Sequence, residues 1–169
     1  VAPMLGFLAP YPNGLGRVVA QFMARLGRPD RPGWKVSEKP GEKIGRRITL
    51  LTHDADRYAD ELWWQQHDPK VALGPASWTW IAAAYRSFQR LVAPGFLEGV
   101  STPICILATR ADKLVSFKAI EQAAARLPHA RLHVYGDEAA HELLREADAI
   151  RSDALARIDS FFRGSGNRA

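Results

Sequence analysis

Ile104-Cys105-Ile106-Leu107-Ala108-Thr109-Arg110-Ala111-Asp112-Lys113-Leu114-Val115 is an apolar run that stops at a polar turn carrying a carboxylate. A second apolar run, Leu132-His133-Val134-Tyr135, ends in Gly136-Asp137-Glu138-Ala139-Ala140 and then reaches His141-Glu142. Between the two, Ser116 is placed to cap a helix over about Phe117 to Leu127, and a final helix is expected to reach Phe162. From Pro103 onward the order is therefore β-α-β-α, with strands over Ile104 to Ala108 and Arg131 to Tyr135. Short apolar runs alternating with helices pair in parallel through right-handed crossovers. The two strands should be neighbours, and the loops after them should open on one edge of the sheet. Functional groups of open α/β sheets collect beyond the carboxyl ends of parallel strands. Asp112 and His141 both fall there.

Upstream of Pro103 no such alternation occurs. Val1 to Met4 reads as the end of a strand, broken by Pro3 and followed by the irregular Ala9-Pro10-Tyr11-Pro12-Asn13-Gly14. A helix is expected over Leu15 to Leu26, where Val18, Val19, Phe22, Met23 and Leu26 recur at helical spacing. Thr52 is placed to cap a second helix of about 13 residues ending near His67, with Tyr58, Leu62 and Trp63 on one side. Ser77 is placed to cap a third reaching about Leu91, with Trp80, Ile81, Ala84 and Phe88 aligned and Trp80 and Phe88 facing inward. These helices read as a cap over the strand ends. The organisation expected is the end of a core strand at 1–4, a helical cap over 5–100, an α/β segment over 101–163 and a frayed tail over 164–169.

The chain has 169 residues, a length that suits one domain, and its hydrophobic fraction of 47% is ordinary for a globular protein. No run of about 18 apolar residues occurs, so no membrane-spanning helix is expected. Cys105 is the single cysteine, so no intramolecular disulfide can form. Inside an expected buried strand its thiol reads as reduced and inert, which points towards a cytoplasmic setting. The formal charge of +5 is concentrated between Arg25 and Arg47, where Arg28, Arg31, Lys35, Lys39, Lys43 and Arg46 outweigh Asp30, Glu38 and Glu42. Prolines and glycines make that stretch a long loop. It reads either as a solvated connector or as a basic surface for anionic lipid or phosphate headgroups.

In triad chemistry an imidazole takes the proton of a serine hydroxyl and returns it to the leaving group, while a carboxylate on the other ring nitrogen fixes the tautomer. Asp112 and His141 are the residue types for orienter and base. Singly, they read as a turn aspartate and a surface histidine; jointly, one helix and one strand apart, they read as two members of a triad. The other histidines are poorer candidates. His53 and His67 flank an expected cap helix, His129 follows Pro128 in a turn, and His133 lies inside a strand. No mixed Cys/His cluster occurs, and His129 and His133, though spaced H-x-x-x-H, fall in a turn and a strand rather than on one helix face, so no metal site is expected. Without a glycine-rich phosphate loop no nucleotide cofactor is expected either.

These residues, together with Ala2-Pro3-Met4, His141-Glu142-Leu143-Leu144 and the closing Ile158-Asp159-Ser160-Phe161-Phe162, resemble the α/β-hydrolase superfamily, and within it the lysophospholipase and monoacylglycerol lipase branch. Leu51-Thr52-His53-Asp54 with Arg57-Tyr58, and Asp68-Pro69 with Leu73-Gly74 and Trp78-Thr79-Trp80, look like the cap of that branch. The resemblance implies the C-terminal part of an α/β-hydrolase fold preceded by a helical cap. It also implies a serine hydrolase of carboxylic esters of lipids, with Asp112 and His141 catalytic and no cofactor. The G-x-S-x-G nucleophile elbow of such enzymes should precede this region, yet no serine here has glycine two positions before and two after it. With valine as first residue, that departure leads to the expectation of a C-terminal half whose missing N-terminal half carries the nucleophile, and of a chain inactive by itself.

Trp63, Trp64, Trp78 and Trp80 place four indoles in the expected cap. Their helical spacing favours core packing. Neighbouring residues on a helix do not face the same way, which leaves either Trp63 or Trp64 for a pocket wall or an exposed anchor. Trp63, Trp64 and Trp80 are the expected substrate-binding residues, the partners a lipid ester and an anionic membrane surface, and no nucleic acid is expected. Competing readings are another activity on the same fold, such as epoxide hydrolysis or acyl transfer, and a non-catalytic module binding a partner through its sheet edge and basic loop.

Overall fold

The computed structural model describes residues 1–8, 12–26, 28–33, 47–71 and 74–166. Strand β1 (Ile104–Thr109) pairs in parallel with β2 (Ala130–Tyr135), Ile104 opposite Ala130 and Thr109 opposite Tyr135. Side chains alternate across β1. Ile106 and Ala108 meet Val115 and Ile120 on the side of the crossover helix α5 (Phe117–Arg126), whereas Leu107 meets Tyr135, Leu143 and Ala154 on the side of the last helix, α6 (Asp148–Gly166). Cover on both faces is what permits β1 to be apolar without a break. Leu107 is fully buried, and truncating such a residue to alanine costs about 2–5 kcal/mol. The expected β-α-β-α order holds, and Ser116 caps α5, its Oγ accepting the Ala119 N–H at 3.2 Å. Cys105 is a free thiol, half-buried against the α6-side cluster. Helix α6 carries the backbone on to Gly166, where a frayed tail was expected from 164; residues 167–169 lie outside the described residues.

Val1 to Met4 form no strand ladder. Ala2 takes a φ of 40°, which interrupts the extended path, and Pro3 has no N–H to give. One hydrogen bond, Ala2 N–H to Leu107 O at 2.6 Å, ties the segment to β1. The chain then runs beside the turn that follows β1: Phe7 bridges Val115, Leu8 N–H donates to Leu114 O (3.2 Å) and Ser116 N–H to Gly6 O (2.9 Å). Only glycine fits at position 6, because a Cβ there would meet the Cβ of Ala119 at 2.9 Å.

Between residues 8 and 100 the described elements are helical: α1 (Asn13–Arg25), the short α2 (Ile48–Leu51), α3 (Ala55–His67) and α4 (Trp78–Val92), with a single 3₁₀ turn at Pro69–Val71. Helix α1 packs on α4 through Ala20 against Ile81, Ala82 and Tyr85, and Phe7 joins them, edge-on to Phe88 at 4.9 Å. Small residues at the contact let the axes approach closely, so Gly16 and Ala20 are the buried face of α1. The larger Val18, Val19, Phe22 and Leu26 point outward. On α4, whose start is fixed by Ser77 Oγ accepting the Trp80 N–H (3.2 Å), the inward stripe runs through Ile81, Tyr85 and Phe88. Trp80, expected to face inward, precedes that stripe by one position and lies outside it. It is 45% exposed, its ring 6.2 Å from that of Phe7.

Helix α3 is capped by Asp54 rather than by Thr52: Asp54 Oδ1 accepts the Arg57 N–H at 3.0 Å. Thr52 is drawn away because it ends α2, where it is buried and its hydroxyl donates to Arg145 O at 2.8 Å. Residues 34–46 of the basic stretch lie outside the described residues, and Lys35, Lys39, Lys43 and Arg46 with them. Arg28 pairs with Asp30 at 3.7 Å, and Arg47 with Glu61 on α3. Among the described residues no helix is long and apolar enough to cross a membrane.

Candidate active site

Because β1 and β2 run parallel and in register, the loops after Thr109 and Tyr135 leave the same sheet edge. The first loop turns on Asp112, whose Oδ1 accepts the N–H groups of Leu114 (2.8 Å) and Val115 (2.9 Å). That bonding fixes the carboxylate plane and leaves Oδ2 for one further partner. The partner is His141: its Nδ1 lies 2.7 Å from Asp112 Oδ2, across 29 residues of chain. Burial of Asp112 works against its charge, but the hydrogen bonds from His141, Val115 and Leu114 outweigh it and hold the carboxyl below the usual aspartate range. With Nδ1–H donated to Asp112, the neutral ring has an unprotonated Nε2. Nε2 has no hydrogen-bond partner among the described residues, and the His141 side chain is 22% exposed. An imidazole held in this way can take a proton from a nucleophile at Nε2 while the carboxylate balances the charge that forms.

The backbone around His141 is pinned from two directions. The Thr109 hydroxyl, at the end of β1, lies 2.8 Å from Ala139 O and 2.9 Å from Gly136 O. From the end of α2 and the segment between α2 and α3, Glu142 N–H donates to Leu51 O (2.7 Å), Thr52 Oγ1 to Arg145 O, and His53 N–H to the Glu146 carboxylate (3.2 Å to Oε2). Arg145 Nη1 also reaches Glu61 Oε2 at 2.7 Å, and Arg57 pairs with Asp148. Thr109 and Glu146 are buried polar residues that pattern reading did not single out, and Thr52, read there as a helix cap, is buried beside them. Glu142 and Glu146 stand four positions apart, the spacing of an exposed helix face, but the 3₁₀ turn at Leu143–Arg145 breaks that spacing and Glu146 turns inward.

The remaining candidates fall elsewhere. Trp63 and Trp64 are 49% and 58% exposed; their rings meet edge to face at 4.8 Å, and Trp63 stacks on His67 at 3.7 Å. Neither indole enters the core, and Trp80 lies with the α1–α4 pair rather than with them. His133 is engaged by Arg157 Nη1 at 3.0 Å, and both burial and that cation disfavour its protonation. Nearby, burial pushes the Tyr135 phenol up to about 12, with the Asp153 carboxylate that accepts its proton adding to the effect. Among the described residues no group of histidine, cysteine and carboxylate side chains is arranged to hold a metal ion.

Residues 1–148 match the family described as serine aminopeptidase, S33. Lysophospholipase L2 of Escherichia coli K12 is 26% identical over 178 residues, covering 99% of this chain and 52% of that protein. Among solved structures, the chain is similar to a soluble variant of monoglyceride lipase from Saccharomyces cerevisiae in complex with a substrate analogue. There the TM-score is 0.67 at 16% identity, over 96% of this chain and 54% of that one. It is also similar to the monoacylglycerol lipase of Paleococcus ferrophilus, with a TM-score of 0.65 at 16% identity over 95% of this chain and 56% of the other. The chain thus spans about half the length of the relatives it matches. With two parallel strands, the helices that cover them and further helices upstream, it has part of the α/β-hydrolase fold, and it belongs to the serine aminopeptidase S33 family.

Proposed function

We propose that this chain supplies the acid–base part of a serine hydrolase acting on carboxylic esters of lipids, a lysophospholipid or a monoacylglycerol, with the nucleophile contributed by sequence outside residues 1–169. The observation that carries this reading is the 2.7 Å bond from His141 Nδ1 to Asp112 Oδ2 with Nε2 left open. In the reaction, Nε2 of His141 takes the proton of the attacking serine hydroxyl and delivers it to the departing alcohol. It then activates water against the acyl-enzyme in the same manner. Asp112 holds the tautomer and balances the imidazolium. No serine of this chain stands in a G-x-S-x-G elbow, so residues 1–169 alone are expected to hydrolyse no ester.

Lipid as the substrate class is supported by the relative called lysophospholipase and by the apolar side chains that α1 and α3 present to solvent, Phe22 and Trp64 among them. The same side chains, beside the arginines that follow α1, favour peripheral contact with an anionic membrane surface. The deciding experiment is hydrolysis of a lysophospholipid and a monoacylglycerol by the full-length hydrolase and its His141→Ala variant. The variant is expected to lose at least about a thousandfold in kcat while still binding substrate. Unchanged turnover of His141→Ala at neutral pH overturns the assignment of the base.

A further inference from the structure

Glu146 is a carboxylate with 1% of its side chain exposed, placed five residues after His141 and on no strand or long helix. A charge so buried persists only if its oxygens are filled. Oε1 accepts the N–H of Ala140, the residue before His141, at 2.6 Å, and it also lies 3.1 Å from His53 Nδ1. Oε2 accepts the His53 backbone N–H at 3.2 Å. One side chain thus grips the peptide leading into His141 with one hand and the start of the α3 segment of the cap with the other. Thr109 Oγ1 on Ala139 O and Glu142 N–H on Leu51 O complete a frame around His141, whose ring is held, among the described residues, by Asp112.

We propose that Glu146 is a positioning residue for His141: it fixes the Ala140 peptide and couples it to His53 of the cap, so that seating of the cap sets the aim of Nε2. This rests on the reading of His141 as the base and adds the cap as a determinant of its geometry. The chemistry suits the task. An ionised carboxylate makes shorter and stronger bonds to N–H donors than a neutral acceptor does, and it can accept from the core loop and from the cap at once. An alanine can do neither. A glutamine can keep the Ala140 contact through its carbonyl oxygen, but its amide then brings an N–H against the His53 N–H.

The test uses the full-length hydrolase, a water-soluble short-chain ester, and ¹⁵N NMR of the His141 ring. Glu146→Ala is expected to lower kcat at least about tenfold with KM within about twofold, since misplacing a catalytic group costs rate rather than ground-state binding. It should also move the His141 ring nitrogens from a single Nδ1–H tautomer towards a mixture. Glu146→Gln is expected to recover most of the rate, remaining about threefold below the wild type, with a smaller nitrogen shift. A residue that merely holds the fold would change the melting temperature and leave the tautomer alone. The proposal is overturned if folded Glu146→Ala keeps both kcat and the His141 resonances. Should that variant not fold, it is overturned if Glu146→Gln keeps both. His141→Ala separates the two levels: an active His141→Ala removes the base assignment and this proposal with it. An inactive His141→Ala beside unperturbed Glu146 variants removes this proposal alone.

Discussion

The hydroxyl of Thr109, the last residue of β1, lies 2.8 Å from the carbonyl oxygen of Ala139, two positions before His141. Thr109 Oγ1 is also 2.9 Å from Gly136 O and accepts the Ala111 N–H at 3.0 Å. Thr109 is wholly buried, so no water competes for these groups. The side chain joins the end of one strand to the loop beyond the other, on the edge where Asp112 and His141 meet. Strand pairing brings the two loops to one edge; this hydroxyl then sets their separation.

Thr109→Val keeps the shape of the side chain and removes its hydroxyl. The single hydroxyl proton facing the Ala139 and Gly136 carbonyls is lost and the Ala111 N–H loses its acceptor, and each buried unsatisfied group costs about 1–3 kcal/mol. A drop of at least about 2 kcal/mol in unfolding free energy by urea titration is expected, with the slope unchanged. A variant as stable as the parent would mean that the Ala139 and Gly136 carbonyls find other donors.

Asp112 links the site to pH. Its folded pKa is held below the ordinary value of 3.8, so it binds its proton less readily in the folded chain than in the unfolded one. A depressed carboxylate stabilises the fold above its unfolded pKa and loses that contribution as pH falls through the folded value. The difference in unfolding free energy between the parent and Asp112→Asn should therefore be constant at neutral pH and shrink below about pH 4. A difference independent of pH from 7 to 3 would show that the carboxylate contributes through shape and not through charge.

Asp54 and Thr52 offer a paired test at the start of α3. Removing the cap by Asp54→Ala is expected to cost about 1 kcal/mol and to leave the His141 ring resonances unchanged. Thr52→Val removes the donor to Arg145 O in a buried position. It is expected to cost about 1–3 kcal/mol and to shift those resonances, because Arg145 belongs to the segment that holds His141. Equal spectra for the two variants would contradict the view that α2 and the His141 loop move as one.

These two residues also show how far the sequence can be read. Periodicity places helices α3, α4 and α5 and both strands close to where they lie, and it places Asp112 and His141 at one sheet edge, because those features follow from local spacing and from parallel crossover. It does not tell Thr52 from Asp54 as the cap of α3. Both side chains suit the task, and the choice is made by a carbonyl 93 residues away. On α1 the spacing of Val18, Phe22 and Leu26 identifies a helix and then misleads about its buried face, since Gly16 and Ala20 give closer packing on α4. Glu146 could not be told from Glu142 at all, because its burial depends on the distant segment 48–54 packing on it.

The outward face of α1 carries the last prediction. Leu15, Val18, Val19 and Phe22 are exposed on one helix and Leu26 just beyond its end, and contiguous apolar surface of this kind marks interaction sites. Arg25 closes the helix, and Arg28 and Arg31 follow it, so the face lies beside positive charge. Burying one such side chain in an acyl layer is worth about 1.5–3 kcal/mol, and about 1.4 kcal/mol is a factor of ten in partitioning. The double substitution Val18→Ser and Phe22→Ser should therefore weaken binding to vesicles rich in phosphatidylglycerol by at least about tenfold in a sedimentation assay. Both side chains are solvent-facing, so thermal unfolding should not change. Binding to phosphatidylcholine vesicles should be weaker at the outset, because the arginines gain nothing there. Trp64→Ser serves as the internal comparison, since Trp64 is exposed on a different helix, α3. If Trp64→Ser abolishes vesicle binding while the α1 variant binds as the parent does, the indoles are the anchor and the α1 face is not.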